Sequence, residues 1–85
     1  MIVHIELMAI IRRPNNLPRV FSWEFTENTQ VKTLLEDLGF SSQESRFLQV
    51  FVTRGDLDSR AIRAPRNFAL QNNDRVFITM PVGGG

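Results

Sequence analysis

The sequence contains no cysteine and no tyrosine, and its only histidine is His4. Without cysteine the chain forms no disulfide bond, no iron–sulfur cluster and no thiolate zinc site, and it has no thiol nucleophile. One histidine is too few for a metal site built on several imidazole groups. These absences exclude thiol-based enzymes and the common cysteine and histidine metal centres.

Charge of one sign and long apolar runs are also scarce. Ten lysine and arginine residues face nine aspartate and glutamate residues, which leaves a formal net charge of +1. With this balance we expect no strong electrostatic attraction to nucleic acid or to a membrane surface. The longest wholly apolar run, residues 8–11, is far too short to span a bilayer. The N-terminus has no basic region before an apolar stretch, so we expect no signal peptide and a cytoplasmic protein.

Period-two alternation predicts most of the strands. It extends over residues 2–11, 19–25, 47–53 and 75–80, and residues 60–63 could add a brief edge strand. Between the first two strands, a segment with two prolines and an Asn-Asn pair predicts the loop of a hairpin.

One stretch of the chain has helical periodicity. Four apolar residues recur at the spacing of one buried stripe, which predicts a helix over residues 30–38. These four are Val31, Leu34, Leu35 and Leu38. Asn28 or Thr29 could cap its first amides, and Gly39 follows where a left-handed C-cap is expected. Residues 41–44, Ser-Ser-Gln-Glu, have the spacing of a capping box, so a short second helical turn is expected there.

The order of these elements, β-β-α-β-(β)-β, indicates an α+β fold in which a mixed sheet of four to five strands packs on one main helix. We expect the first and last strands to lie side by side in parallel, since the helix supplies the crossover that such a pair requires. This is the β-grasp, or ubiquitin-like, architecture. We expect residues 1–80 to form this single domain and residues 81–85 to form a flexible C-terminal reactive tail.

The end of the sequence, residues 80–85, reads Met-Pro-Val-Gly-Gly-Gly. Glycine has no β-carbon, so such a segment packs poorly and adopts many conformations. The same property suits an arm that must enter a narrow, ATP-containing pocket of another protein, because the bare backbone can approach phosphate closely. The alternative interpretation is a frayed end or a cloning remnant.

Three segments resemble the sulfur-carrier family typified by ThiS of thiamine synthesis and MoaD, the small subunit of molybdopterin synthase. They are VKTLLEDLG at 31–39, NDRVFI at 73–78 and PVGGG at 81–85. The resemblance follows the order and length of nearly the whole chain. Pro81 and Val82 resemble the residues that lead into the tail in carriers of the molybdopterin branch. The Val-Gly-Gly-Gly end resembles the C-terminus of many carriers of the thiamine branch.

The resemblance implies a carrier and not an enzyme. In this family an adenylating enzyme uses ATP and Mg²⁺ to activate the C-terminal glycine, and a sulfur-donor protein converts it to a thiocarboxylate for a downstream synthase. When these roles are transferred to this sequence, Gly85 is the reacting residue and Gly84 completes the Gly-Gly pair. Gly83, Val82 and Pro81 form the rest of the tail. No bound cofactor, metal or catalytic residue is implied for the chain itself.

Two other functions fit the same features. A ubiquitin-like modifier would join Gly85 to target lysines after the same activation step. In a small RNA-binding or regulatory β-grasp domain, the tail would be incidental. Six arginines flank two loops and could contact phosphate or an acidic partner; they are Arg12, Arg13, Arg19, Arg60, Arg63 and Arg66. A solvated surface is the favoured interpretation of these arginines. Because no aromatic residues are interleaved with them in an RNA-binding motif, nucleic acid is not expected as a partner.

An apolar docking patch is expected on the outer face of the sheet. If the aliphatic residues of the third and last strands face the helix, Phe51 and Phe77 point outward on neighbouring strands, with His4 and Met8 beside them. Exposed apolar patches of this kind usually mark an interface. The alternatives are that loops cover the patch or that the register is shifted by one residue. His4 has no second histidine or cysteine to work with, so we expect neither a metal ligand nor a general base there.

Overall fold

The structure, a computed structural model, describes residues 1–55 and 60–81. Its strands and helices are β1 (Ile2–Leu7), β2 (Val20–Glu24), α1 (Val31–Leu38), α2 (Ser42–Phe47), β3 (Gln49–Thr53), β4 (Ile62–Arg63) and β5 (Arg75–Thr79). A 3-10 turn at Pro14–Asn16 lies in the loop between β1 and β2. These elements form a small α+β fold with a mixed five-stranded sheet and one main helix, compatible with a β-grasp. No helix among the described residues is long and apolar enough to cross a membrane.

The sheet has the strand order β2-β1-β5-β3-β4. Strand β1 pairs antiparallel with β2 and parallel with β5, and β5 pairs antiparallel with β3. The expectation of a parallel pair between the first and last strands is therefore confirmed. Helix α1 lies between β2 and β3 in the chain and supplies the crossover that this parallel pair needs.

The core lies between α1 and one face of the sheet. All four residues of the apolar stripe of α1 are at most 1% exposed, as their helical spacing predicts. They share one cluster with the inward-facing residues of β1, β3 and β5, which are Val3, Ile5, Leu7, Val50, Val52, Val76 and Ile78. Each of these strands alternates buried and more exposed side chains, so the other face of the sheet is left outward.

The helix ends are built partly as the sequence predicts. Gly39 has φ 104°, and its amide donates to the carbonyls of Leu35 and Glu36. The capping box of α2 is confirmed, since Ser41 Oγ accepts from the amide of Glu44 at 3.1 Å and the Glu44 carboxylate accepts from the amide of Ser41 at 3.0 Å. The expected cap of α1 is wrong: its first amides, those of residues 31 and 32, donate to backbone carbonyls of residues 68 and 66, not to a side chain of residue 28 or 29.

All five strands are shorter than their patterns predict, β2 by one residue at each end and β5 by one residue at its end. Strand β1 ends at Leu7 because the chain turns at residues 8–11, where the amide of Ile11 donates to the carbonyl of Met8 at 3.0 Å. Strand β3 begins at Gln49 because Phe47 completes α2. The brief edge strand β4 covers two residues, 62 and 63.

Candidate functional site

The chain leaves the sheet at the end of its central strand. Since β5 lies between β1 and β3, neighbouring strands hold it on both sides as far as Ile78, and Thr79 still pairs with Gln49 of β3. Met80 is half-buried and packs on the core, and Pro81, the last residue of the predicted tail that the structure describes, is exposed. The predicted reactive residue Gly85, together with Val82, Gly83 and Gly84, lies outside the described residues.

The two phenylalanines of the predicted docking patch lie opposite each other on β3 and β5. Their flanking residues are buried against α1, so Phe51 and Phe77 point to the outer face. Phe77 is 39% exposed and Phe51 is half-buried. The described loops therefore do not cover Phe77, and the register is the one that the alternation predicts. That a partner docks on the patch stays a prediction.

The other two residues predicted for the patch have different surroundings. His4 is exposed on the outer face of β1, where its Nδ1 lies 2.8 Å from Ser22 Oγ and its Nε2 lies 3.3 Å from Asn73 Oδ1. These contacts tie β1 to β2 and to the turn before β5. Met8 follows the last residue of β1 and packs half-buried against the core, so only part of its side chain is accessible.

A groove of about 370 Å³ runs along the outer face beside Phe77. His4, Glu6, Ser22 and Arg75 line it, so polar and charged groups border the aromatic patch. The sequence interpretation did not include Glu6, Ser22 and Arg75. For Glu6 and Arg75 the signal was present, because each alternates with buried neighbours along its strand and so faces outward. Ser22 has no buried neighbour on β2, and its place on this face follows from its pairing with His4. Among the described residues, no group of three histidine, aspartate or glutamate side chains could hold a metal ion.

Three arginines are held by other groups of the protein. Arg12 forms a bidentate pair with Glu44, with N···O distances of 2.8 Å and 2.7 Å. Arg54 forms a bidentate pair with the buried Asp74, and this hydrogen bonding raises the pKa of Arg54. Arg66 donates to the carbonyls of residues 45 and 48 at the end of α2. Arg12 and Arg66, two of the six arginines at the predicted loops, thus make hydrogen bonds within the protein itself.

The pair between Arg12 and Glu44 predicts a pH-dependent loss of stability. Hydrogen bonds from Arg12 and then from the amide of Ser41 lower the pKa of Glu44 from 4.5 to about 2. A lowered folded-state pKa stabilises the protein above pH 4.5, and this contribution is lost as the pH falls toward about 2. We therefore expect Glu44→Gln to lower the free energy of unfolding by at most about 1 kcal/mol near neutral pH. Urea unfolding of both proteins from neutral pH downward checks this, and the difference should shrink over that acidic range.

An Arg12→Gln background provides the control for this prediction. Without the guanidinium, the carboxylate loses its main stabilising partner, so Glu44→Gln should then change stability much less. An equal effect of Glu44→Gln in both backgrounds would show that the pair is not the cause.

Comparison of the chain with protein-family models, with curated proteins and with solved structures gives no match. The function is therefore inferred from the residues and their geometry alone. The features that bear on function are the central strand that ends beside Pro81 and the outward pair of phenylalanines on β3 and β5.

Proposed function

We propose that this chain is a β-grasp sulfur carrier whose C-terminal residue, Gly85, is adenylated by a partner enzyme and converted to a thiocarboxylate. The adenylating enzyme uses ATP and Mg²⁺, a second protein donates the sulfur, and a synthase of thiamine- or molybdopterin-type cofactor biosynthesis receives it. The carrier is a protein substrate in this scheme and supplies no catalytic residue.

The observation that carries the proposal is the central position of β5. Because β5 pairs with both β1 and β3, the sheet anchors the chain up to Thr79. Pro81 is exposed just beyond that point, and the proposed reactive arm, residues 82–85, follows it. A partner can bind the folded domain while the arm that follows β5 enters the partner's ATP pocket.

The chemistry needs activation because a free carboxylate has no good leaving group. A carboxylate oxygen of Gly85 attacks the α-phosphorus of ATP and expels pyrophosphate, which gives an acyl adenylate. The terminal sulfur of the donor's persulfide then attacks the acyl carbon and expels AMP, and a second thiol cleaves the resulting disulfide to release the thiocarboxylate. Since the chain has no cysteine, it has no thiol of its own to carry this sulfur.

Intact mass spectrometry tests this proposal directly. After incubation with ATP, Mg²⁺, a cognate adenylating enzyme, a persulfide donor and a thiol reductant, the chain is expected to gain the mass difference between sulfur and oxygen. Fragmentation should place the gain on Gly85. A variant that lacks Gly84 and Gly85 should show no gain, because the reacting carboxylate is then no longer presented on the Gly-Gly pair.

The alternative functions predict different experimental results. Higher-mass conjugates in lysate, joined through Gly85, would identify a ubiquitin-like modifier. An unchanged mass, together with full cellular function of the variant lacking Gly84 and Gly85, would contradict both the carrier and the modifier. An RNA-binding domain would instead bind RNA with an affinity that falls steeply with salt.

A further inference from the structure

A second groove, of about 540 Å³, lies where α2, β3 and the loop after β4 meet the end of β5. We call it the arginine groove, because Arg46, Arg63 and Arg66 line it. Its apolar residues include the buried Leu48, Val50 and Ala64. Pro81 also lines the groove, so an occupant would lie beside the point where the chain leaves the sheet. None of the described residues that line the groove is acidic.

Arg66 is already ordered in this groove. Its Nη2 donates to the carbonyl of Leu48 at 2.6 Å and to the carbonyl of Ser45, which fixes the guanidinium against the last turn of α2. These two bonds use both hydrogens of Nη2, so Nε and Nη1 still have three N–H donors between them. A side chain that is ordered before binding loses little conformational entropy when a ligand arrives, and the planar guanidinium matches a carboxylate.

The other two arginines add positive charge that the described part of the chain does not neutralise. Arg46 and Arg63 are exposed, and no salt bridge between described residues includes either of them. This contrasts with Arg12 and Arg54, each of which is paired with a carboxylate. Three guanidinium groups around an apolar floor therefore favour a ligand that is both acidic and partly apolar.

We propose that the arginine groove binds an acidic segment of a protein partner. Carboxylates of the segment pair with the three arginines, and an apolar side chain of the segment packs on the floor and on Phe47, which is 67% exposed and also lines the groove. A protein segment fits better than nucleic acid, because the chain's net charge is only +1 and the floor between the arginines is apolar.

The position of the groove adds to this proposal. Arg63 pairs in register with Phe51, so the groove borders the outward phenylalanine patch, and Pro81 is among the residues that line it. One partner could therefore contact the patch and the groove together, next to the proposed reactive arm. The identification of this partner as the adenylating enzyme rests on the proposed function. The binding of an acidic segment to the groove is independent of that function.

Nuclear magnetic resonance titration of the full chain tests the groove without any activation step. The probe is a short capped peptide of glutamates around one leucine, and a lysine peptide of the same design is the charge control. We expect saturable amide shifts confined to the groove residues, which weaken as salt is added. The double variant Arg46→Gln/Arg63→Gln is expected to bind about tenfold more weakly, because two exposed charge pairs are lost.

The matched control is Arg13→Gln/Arg19→Gln, which removes the same charge from exposed positions that do not line the groove. This control should bind the glutamate peptide like the unsubstituted chain. Equal weakening in both double variants, or shifts centred outside the groove, would overturn the proposal. Tighter binding of a uridine oligonucleotide than of the peptide at the groove would also overturn it, in favour of nucleic acid. Because the readout is peptide binding, failure here is distinguishable from failure to form a thiocarboxylate.

Discussion

Replacing Arg54 with alanine is expected to destabilise the protein by about 3 kcal/mol, because it leaves a buried carboxylate without its counter-charge. The Asp74 side chain is fully buried, and Arg54 donates to both of its oxygens at 2.8 Å. Once the guanidinium is removed, the amide of Gln71, at 2.8 Å, is the one remaining donor to Asp74 among the described residues. Urea unfolding at neutral pH measures the loss.

The companion variant Asp74→Ala should cost less than Arg54→Ala. The Arg54 side chain is 39% exposed, so its charge can return to water when the carboxylate is removed. In the double variant the loss should be smaller than the sum of the two single losses, because no unpaired buried charge remains. Strictly additive losses, or a larger loss for Asp74→Ala, would contradict this account of the pair.

This ion pair matters for function because of where Asp74 lies. Asp74 immediately precedes β5, and its carbonyl accepts from the amide of His4 at 2.9 Å. The pair with Arg54 therefore joins the end of β3 to the beginning of β5. Anchoring both ends of β5 keeps the strand that leads to Pro81 in place.

Local patterns predicted the parts of the fold that depend on neighbouring residues. The stripe of α1, Gly39 and the capping box of α2 follow from spacing within a few residues, and all three are present in the structure. The face on which Phe51 and Phe77 lie followed from alternation alone. Periodicity works here because a buried face must repeat at the period of its own element.

Contacts between distant segments were not predictable in the same way. Arg54 and Asp74 are 20 residues apart, and Arg66 reaches a carbonyl 21 residues away at the end of α2. Nothing in the local pattern around an arginine indicates which carbonyl or carboxylate the fold will bring near it. For the same reason the local sequence predicted side-chain caps for α1. In the structure the first amides of α1 donate instead to the carbonyls of residues 66 and 68. The arginine groove depends on these long-range contacts.

The outward phenylalanine pair predicts a large loss of activation when it is disrupted. Under the proposed function, the adenylating enzyme docks on Phe77, which is 39% exposed beside Phe51 on the neighbouring strand. Truncating a central aromatic residue of an interface commonly costs about 2 kcal/mol, so Phe77→Ala should lower kcat/KM for adenylation roughly thirtyfold. The measurement is pyrophosphate release by the adenylating enzyme as the concentration of the carrier is varied.

Trp23→Ala is the matched control for this prediction, because Trp23 is a similarly exposed aromatic residue, at 42%, on a different face of the sheet. It lies opposite Val3, whose side chain is in the core, so it points to the side of α1 and not to the patch. We expect Trp23→Ala to leave kcat/KM nearly unchanged, and urea unfolding must show that both variants remain folded. If the two variants lose activation equally, or if only kcat falls for Phe77→Ala while KM is unaffected, Phe77 does not contribute to docking.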